Sequence, residues 1–327
     1  MVQFFPSAQT TTFEQKSEQK LPFIIRAIKF CSFGNDKAIL AVGTDQSVVL
    51  MEYKRENEKI EVIKEYPLDS RCTSFDWNHQ TYVSGDQQFF SFAVACSNKY
   101  IIWKNEKNND SKVLKYTSYI NDISFCTVPD QQHGDLLATV SDNHYFCIHT
   151  SNDQEIPVKI HLDSIGQRVQ WSERKTDICL IAQLNGIVSI FDWKMKSIIT
   201  NCYVEVPPIV SYTFDATWDK KNMQKIVCVG GDQLSIFDLK EEEAPIVFPS
   251  YKHSYCDQKP FLVRFSDHSP YILSATRNRQ FFLHNSEYPQ LPQNCRLDSN
   301  IIDATWLGKS NEFIIATSKE LLIYRIL

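Results

Sequence analysis

Residues 187–192 read IVSIFD and residues 233–238 read QLSIFD, inside the longer runs LNGIVSIFDWK and GGDQLSIFDLK. Phe191 and Phe237 stand 46 positions apart. Self-similarity at a fixed period of this size marks a repeat architecture. Weaker relatives extend it. Tyr53, Trp103, His149, Phe191, Phe237, His284 and Tyr324 close the runs SVVLMEY, YIIW, YFCIH, IVSIF, QLSIF, QFFLH and ELLIY, at spacings of 50, 46, 42, 46, 47 and 40.

A second aromatic series lies upstream: Phe30, Trp77, Phe125, Trp171, Trp218, Phe265 and Trp306, spaced by 47, 48, 46, 47, 47 and 41. Between the two series runs a strand of small and branched residues, such as AILAV, LLATV or FIIAT. A fourth strand follows the second aromatic, with EVIKEYPL, KVLKYT, PVKIHL, SIITNCYV and APIVFP as candidates. Short strands at even spacing, separated by polar turns, predict an all-β repeat. A four-stranded unit of somewhat over forty residues is a propeller blade. No segment sustains the helical period over three turns. The aromatic closing the third strand is expected to pack between blades, and the Asp after it to open an exposed turn. Trp77, Trp171, Phe191, Trp218, Phe237 and Trp306 are the expected core. The tight turns before the third strand carry Asp45, Asn98, Asp142, Asn185, Asp232 and Asn278, whose side chains bond local backbone and tolerate left-handed geometry.

The prediction is therefore a single seven-bladed β-propeller over residues 1–327. Its approximate blades are 22–68, 69–118, 119–163, 164–204, 205–250, 251–298 and 299–327. The chain stops after the third strand of the seventh blade, so residues 10–15 are expected to supply the missing outer strand and close the ring. An unpaired outer edge would otherwise invite aggregation.

Composition narrows the function. An apolar fraction of 43% with 22% charged residues suits a globular domain, and a net charge of −5 gives no general pull toward nucleic acid or anionic lipid. No apolar run is long enough to span a bilayer. The N-terminal run lacks the basic and apolar regions of a secretory signal, so the ten cysteines are expected as reduced core residues. No Cys-x-x-Cys occurs. His144 and His149 are five apart in one strand segment and so point to opposite faces, unsuited to sharing a metal ion. No nucleophile elbow, metalloprotease helix or phosphate loop is present. A propeller hydrolase would need histidines or carboxylates around its channel, and no such set stands out. The expectation is no enzyme activity, no cofactor and no metal.

What remains is surface recognition. Two connections, 204–214 and 248–261, are long and rich in Pro and Tyr, and are expected on one rim of one face. Pro207, Pro208, Tyr212, Tyr251 and Tyr255 are the candidate partner-binding residues, since rigid exposed Pro and Tyr suit an interface. The loops NHQTYVSGDQQ (78–88) and CTVPDQQHGD (126–135) are expected as solvent loops on the opposite face.

The blades resemble degenerate WD repeats. The Trp-Asp ending survives only as Phe-Asp, and no Gly-His dipeptide occurs, so the family's buried Asp-His-Ser/Thr-Trp network is not available in its standard form. More narrowly, YINDISF, LLATVSDNHYFCIH, VQWSERKTDICLIAQLNGIVSIFDW and VPPIVSYTFDATWDKKNMQKIVCVGGDQLSIFDL are similar to the small WD-repeat nucleoporins of the Y-shaped outer-ring complex of the nuclear pore. That resemblance implies a non-catalytic scaffold docked on the α-solenoid of a large Y-complex nucleoporin. Its implied partners are other nucleoporins, without direct nucleic-acid contact or membrane insertion. It further implies residence at the nuclear envelope, with a kinetochore pool in mitosis. The alternative is a generic WD-repeat adaptor, a ubiquitin-ligase substrate receptor or a histone-tail reader.

Overall fold

The computed structural model describes residues 12–33, 37–84, 87–130, 134–151, 158–173, 175–204, 215–219, 224–239, 246–256, 258–308 and 310–327. The repeating alternation becomes seven antiparallel sheets arranged as the blades of a propeller. In blades one to six, strands A to D follow the chain outward from a central channel. In blade four they are Gly166–Trp171, Ile178–Gln183, Ile187–Asp192 and Ser197–Tyr203. Both aromatic series fall at the ends of the strands that the spacing marks, as with Cys72–Trp77 and Ile301–Trp306.

The core is divided by interface rather than by blade. Seven apolar clusters each join residues of two neighbouring blades. Along Ala38–Gly43, residues Ala38, Leu40 and Val42 pack toward blade seven while Ile39 and Ala41 pack toward blade two. Side chains alternate across a strand, so a B strand sandwiched on both faces must be apolar throughout, and this one is buried along its whole length. Phe191 meets Phe146 of blade three edge to face at 5.0 Å, and Phe237 joins Trp218 and Leu180 in the next cluster.

Ring closure uses Phe13–Lys20, which pairs antiparallel with Glu320–Ile326 from Phe13 opposite Ile326 to Lys20 opposite Glu320. The strand runs on to Lys20, beyond the expected end at residue 15, while residues 10 and 11 lie outside the described residues; Phe13 packs against Phe281, Phe313 and Tyr324. A second tie crosses the same seam. Gln19 exchanges two side-chain hydrogen bonds with the backbone of Ile60 in blade one. At the same end of blade one, Arg55 reaches buried Glu312 of blade seven.

Blade five departs from expectation. Within APIVFP, Ile246–Val247 does not form its outer strand but pairs in parallel with Ser197–Tyr203 of blade four. The outer strand is Tyr251–Ser254, antiparallel to Gln233–Asp238. The fifth blade therefore extends past 250. The segment 248–261 is split, running up the blade wall from one face to the other, and does not form a rim. The turns also differ in detail. Left-handed geometry falls on Lys99, His144, Gly186, Gly231 and Arg279, beside the Asp and Asn residues rather than on them.

The expected absence of the standard buried network is answered by a different one. In blade six, Tyr255 Oη lies 2.7 Å from Ser274 Oγ, which lies 3.0 Å from His284 Nε2. In blade three, Tyr116 Oη lies 2.7 Å from Thr139 Oγ1 and also bonds His149 Nε2. In each case the Tyr follows the previous blade's outer strand, so the triad ties two blades together.

Two outcomes are expected. Deleting the chain through Lys20 removes the closing ladder, where each net hydrogen bond contributes about 0.5–1.5 kcal/mol against a total stability of about 5–15 kcal/mol. Thermal melting should then occur far lower, or the protein should aggregate; an unchanged melting temperature and a monomeric state would refute closure by this strand. The second outcome concerns pH. Burial holds the His284 pKa down at about 3 and the His149 pKa down at about 4, against an ordinary 6.5. Both histidines are neutral in the fold, so their stabilising effect is complete above 6.5 and is lost as pH falls from 6.5 toward these values. Denaturation midpoints measured from pH 7 down to about pH 4.5 should fall, and His284→Asn should flatten the slope.

Candidate functional site

The channel is a polar cavity of about 370 Å³ lined by the A strands of all seven blades. An innermost strand has no neighbour on its channel side, so its outward N–H groups need other acceptors. Side chains one blade back supply them. The amides of Phe125, Val169, Val263 and Ile28 donate to Asp76, Asp122, Asp215 and Asp303 at 2.7–3.0 Å. Trp171 and Phe30 amides donate to Ser124 Oγ and Thr305 Oγ1. The indole N–H groups of Trp77, Trp218 and Trp306 donate to carbonyls of Lys29, Gln170 and Arg264 in the preceding blade.

The same carboxylates form a belt. Lys29 Nζ sits 3.2 Å from Asp76, and Ser74 Oγ donates to Asp122 at 2.7 Å. Arg168 Nε lies 3.3 Å from both Asp122 and Asp215. Arg264 then bridges Asp215 to Asp303, the latter at 2.9 Å. With the bond from Ile28 to Asp303, every blade interface is crossed. Local geometry prepares this. A register shift at the start of the A strand immediately precedes Ser74, Asp122, Arg168 and Asp303. Such bulges re-aim side chains.

A ring of carboxylates thus does face the channel, contrary to the sequence-based expectation. A periodic signal was present: Asp122, Asp215 and Asp303 each stand three residues before the strand-ending aromatic. The arrangement is not poised for acid–base work, because each carboxylate is engaged by a cation or by backbone amides. Burial opposes the charge on Arg168, but Asp122 and Asp215 outweigh it and hold its pKa above the ordinary guanidinium value. Among the described residues, no group of three His, Cys, Asp or Glu side chains is placed to hold a metal ion. All ten cysteines are free thiols, eight of them buried.

The proposed partner residues fare differently. Pro207, Pro208 and Tyr212 lie outside the described residues. Tyr255 is not exposed: it is 3% accessible and belongs to the blade-six triad. Tyr251 is half-buried in the outer strand and donates to the Pro289 carbonyl at 3.0 Å. Their spacing in sequence resembles a Tyr-rich loop, but the strand pairing turns both rings toward the blade. The loops 78–88 and 126–135 are also less free than expected. Asn78 and Gln80 both donate to Asp135, and Asn78 is fully buried.

Seven blades closed by an N-terminal strand, with aromatic-ended A and C strands, define the class: a seven-bladed β-propeller. The crystal structure of the Cps50 (Swd1) β-propeller domain of Myceliophteria thermophila matches with a TM-score of 0.75 at 13% identity, covering 97% of this chain and 100% of that one. By sequence the chain is similar to nucleoporin Nup37. It is 24% identical to the Homo sapiens protein over 284 residues, covering 81% of this chain and 83% of the relative. It is 24% identical to the Mus musculus protein over 234 residues, covering 68% and 69%. No family model matches the chain.

Replacing Arg168 by Met should remove the one cation shared by Asp122 and Asp215, leaving Asp122 with only the Ser74 hydroxyl and the Val169 amide while Asp215 keeps Arg264. Breaking a buried pair from one side costs about 3–5 kcal/mol, and the 21% exposure of the Arg168 side chain places this case toward the lower figure. Urea denaturation checks it; a loss below about 1 kcal/mol would mean the belt contributes little to the ring.

Proposed function

We propose that the protein is a non-catalytic structural subunit of the nuclear pore, docked on the α-solenoid of a large nucleoporin of the outer-ring Y complex. The observation that carries this is the similarity to Nup37, which extends over most of both chains. The channel chemistry agrees with it. The carboxylates that could have served a reaction are engaged in holding blades together, which suits a scaffold. Propellers host many functions, so the fold alone favours no particular partner.

The tagged full-length chain, recovered from interphase cells, is expected to bring down outer-ring nucleoporins, and a fluorescent fusion is expected to mark the nuclear rim. Recovery of cullin adaptors or histones without nucleoporins would overturn this in favour of an adaptor. Arg168→Met, if it destabilises the ring, should reduce recovery in proportion to the folded fraction.

A further inference from the structure

Each blade presents four strand ends on the face that carries the turns between strands B and C. In blade six all four are cationic. Lys259 precedes strand A (Pro260–Phe265), Arg277 follows strand B (Tyr271–Thr276), Arg279 precedes strand C (Gln280–Asn285), and Arg296 ends strand D (Gln293–Arg296). All four are exposed. Their order is fixed by backbone bonds, Arg277 N–H to the Lys259 carbonyl and Leu297 N–H to the Arg279 carbonyl. Neighbouring strands lie about 4.8 Å apart, so the four cations form a row roughly 14 Å long, running from channel mouth to outer wall.

No other blade matches this. The equivalent positions in blade four are Ile165, Leu184, Gly186 and Tyr203, and in blade three Tyr119, Asp142, His144 and His161. Blade two comes nearest, with Arg71, Lys99 and Lys115, but Ser97 stands where blade six has Arg277. In blade seven, Lys20 stands 3.9 Å from both Glu18 and Glu320. In blade six two of the cations are pre-positioned. Arg277 stacks on Phe261 at 5.7 Å from the ring centroid, and Arg279, with a left-handed φ of 63°, donates one guanidinium nitrogen to the Asp298 carbonyl at 2.9 Å. The side chains of Lys259 and Arg296 make no hydrogen bond or ion pair among the described residues.

We propose that the blade-six row is a docking site for a short acidic polypeptide segment of a partner protein. An extended strand puts same-side carboxylates about 6.6 Å apart, so about five residues cover the row. A nucleic-acid duplex fits poorly. It carries a charge every ~1.7 Å and needs a long basic track for affinity, whereas this row of four cations meets Asp232 on the blade-five side and, on the blade-seven side, only Lys319 and a Lys20 that is shared with Glu18 and Glu320. The proposal stands apart from the nuclear-pore assignment, since it concerns the chemistry of the segment and not the partner that bears it.

The test uses the full chain and a fluorescein-labelled peptide of about ten alternating Glu and Asp residues, followed by anisotropy at low salt. Wild-type protein is expected to capture the peptide, with binding that weakens as salt rises. Lys259→Glu with Arg296→Glu should weaken capture about tenfold or more while leaving the melting temperature unchanged, since neither side chain supports the fold. Arg71→Glu with Lys115→Glu makes the same charge change on the same face and should leave capture within about twofold. Equal loss in both variants, no capture by the wild type, or tighter capture of a labelled single-stranded oligonucleotide that the blade-six variant abolishes would each overturn the proposal.

Discussion

A blade of this ring is apolar on both faces, and neither face can be left in water. That constraint governs the rest of the structure. The seven apolar clusters are seven interfaces, so no blade has a core of its own. Burial of apolar surface is the main favourable term in folding, and here it is realised only when each blade has a neighbour on either side. A ring satisfies this; an open arc would leave two faces bare. The Phe13–Lys20 ladder completes blade seven, and the interface between blades seven and one is then tied by the Gln19–Ile60 exchange and the Arg55–Glu312 bond.

Closing the ring creates a second requirement at the channel. Seven innermost strands present unpaired amides to a narrow polar space, and a buried amide without an acceptor is costly. Aspartates one repeat back meet those amides, but packing carboxylates around one cavity sets them against each other. Lys29, Arg168 and Arg264 resolve the repulsion by sitting between them. The belt is the electrostatic consequence of building edges from Asp, and it leaves the channel's carboxylates engaged rather than free to react. The same economy appears at the tyrosine triads, where a phenol from one blade meets a Ser or Thr and a His of the next.

The repeat was legible because it rests on local chemistry. Phe191 and Phe237 close strands wherever they fold, and Trp171 and Trp218 mark the innermost strand because each must fill space between two sheets. The belt was less legible. Asp122, Asp215 and Asp303 recur at a fixed offset from an aromatic, yet their partners Arg168 and Arg264 are 39–49 positions away and become neighbours only when consecutive repeats stand side by side. Tyr255 misled for a related reason. It lies in a Tyr- and Pro-containing stretch that resembles a loop, and only the pairing of Tyr251–Ser254 with Gln233–Asp238 turns it inward.

From its sequence alone the chain determines the blade count, the order of strands and the positions of the packing aromatics, because strand period, turn chemistry and side-chain size act over a few residues. Tertiary structure decides which segment finishes blade five, where the closing strand begins, how the carboxylates are neutralised, and that four cations from 259 to 296 stand in one row. Those outcomes depend on register between strands and on rotation from blade to blade, and no short-range preference encodes either.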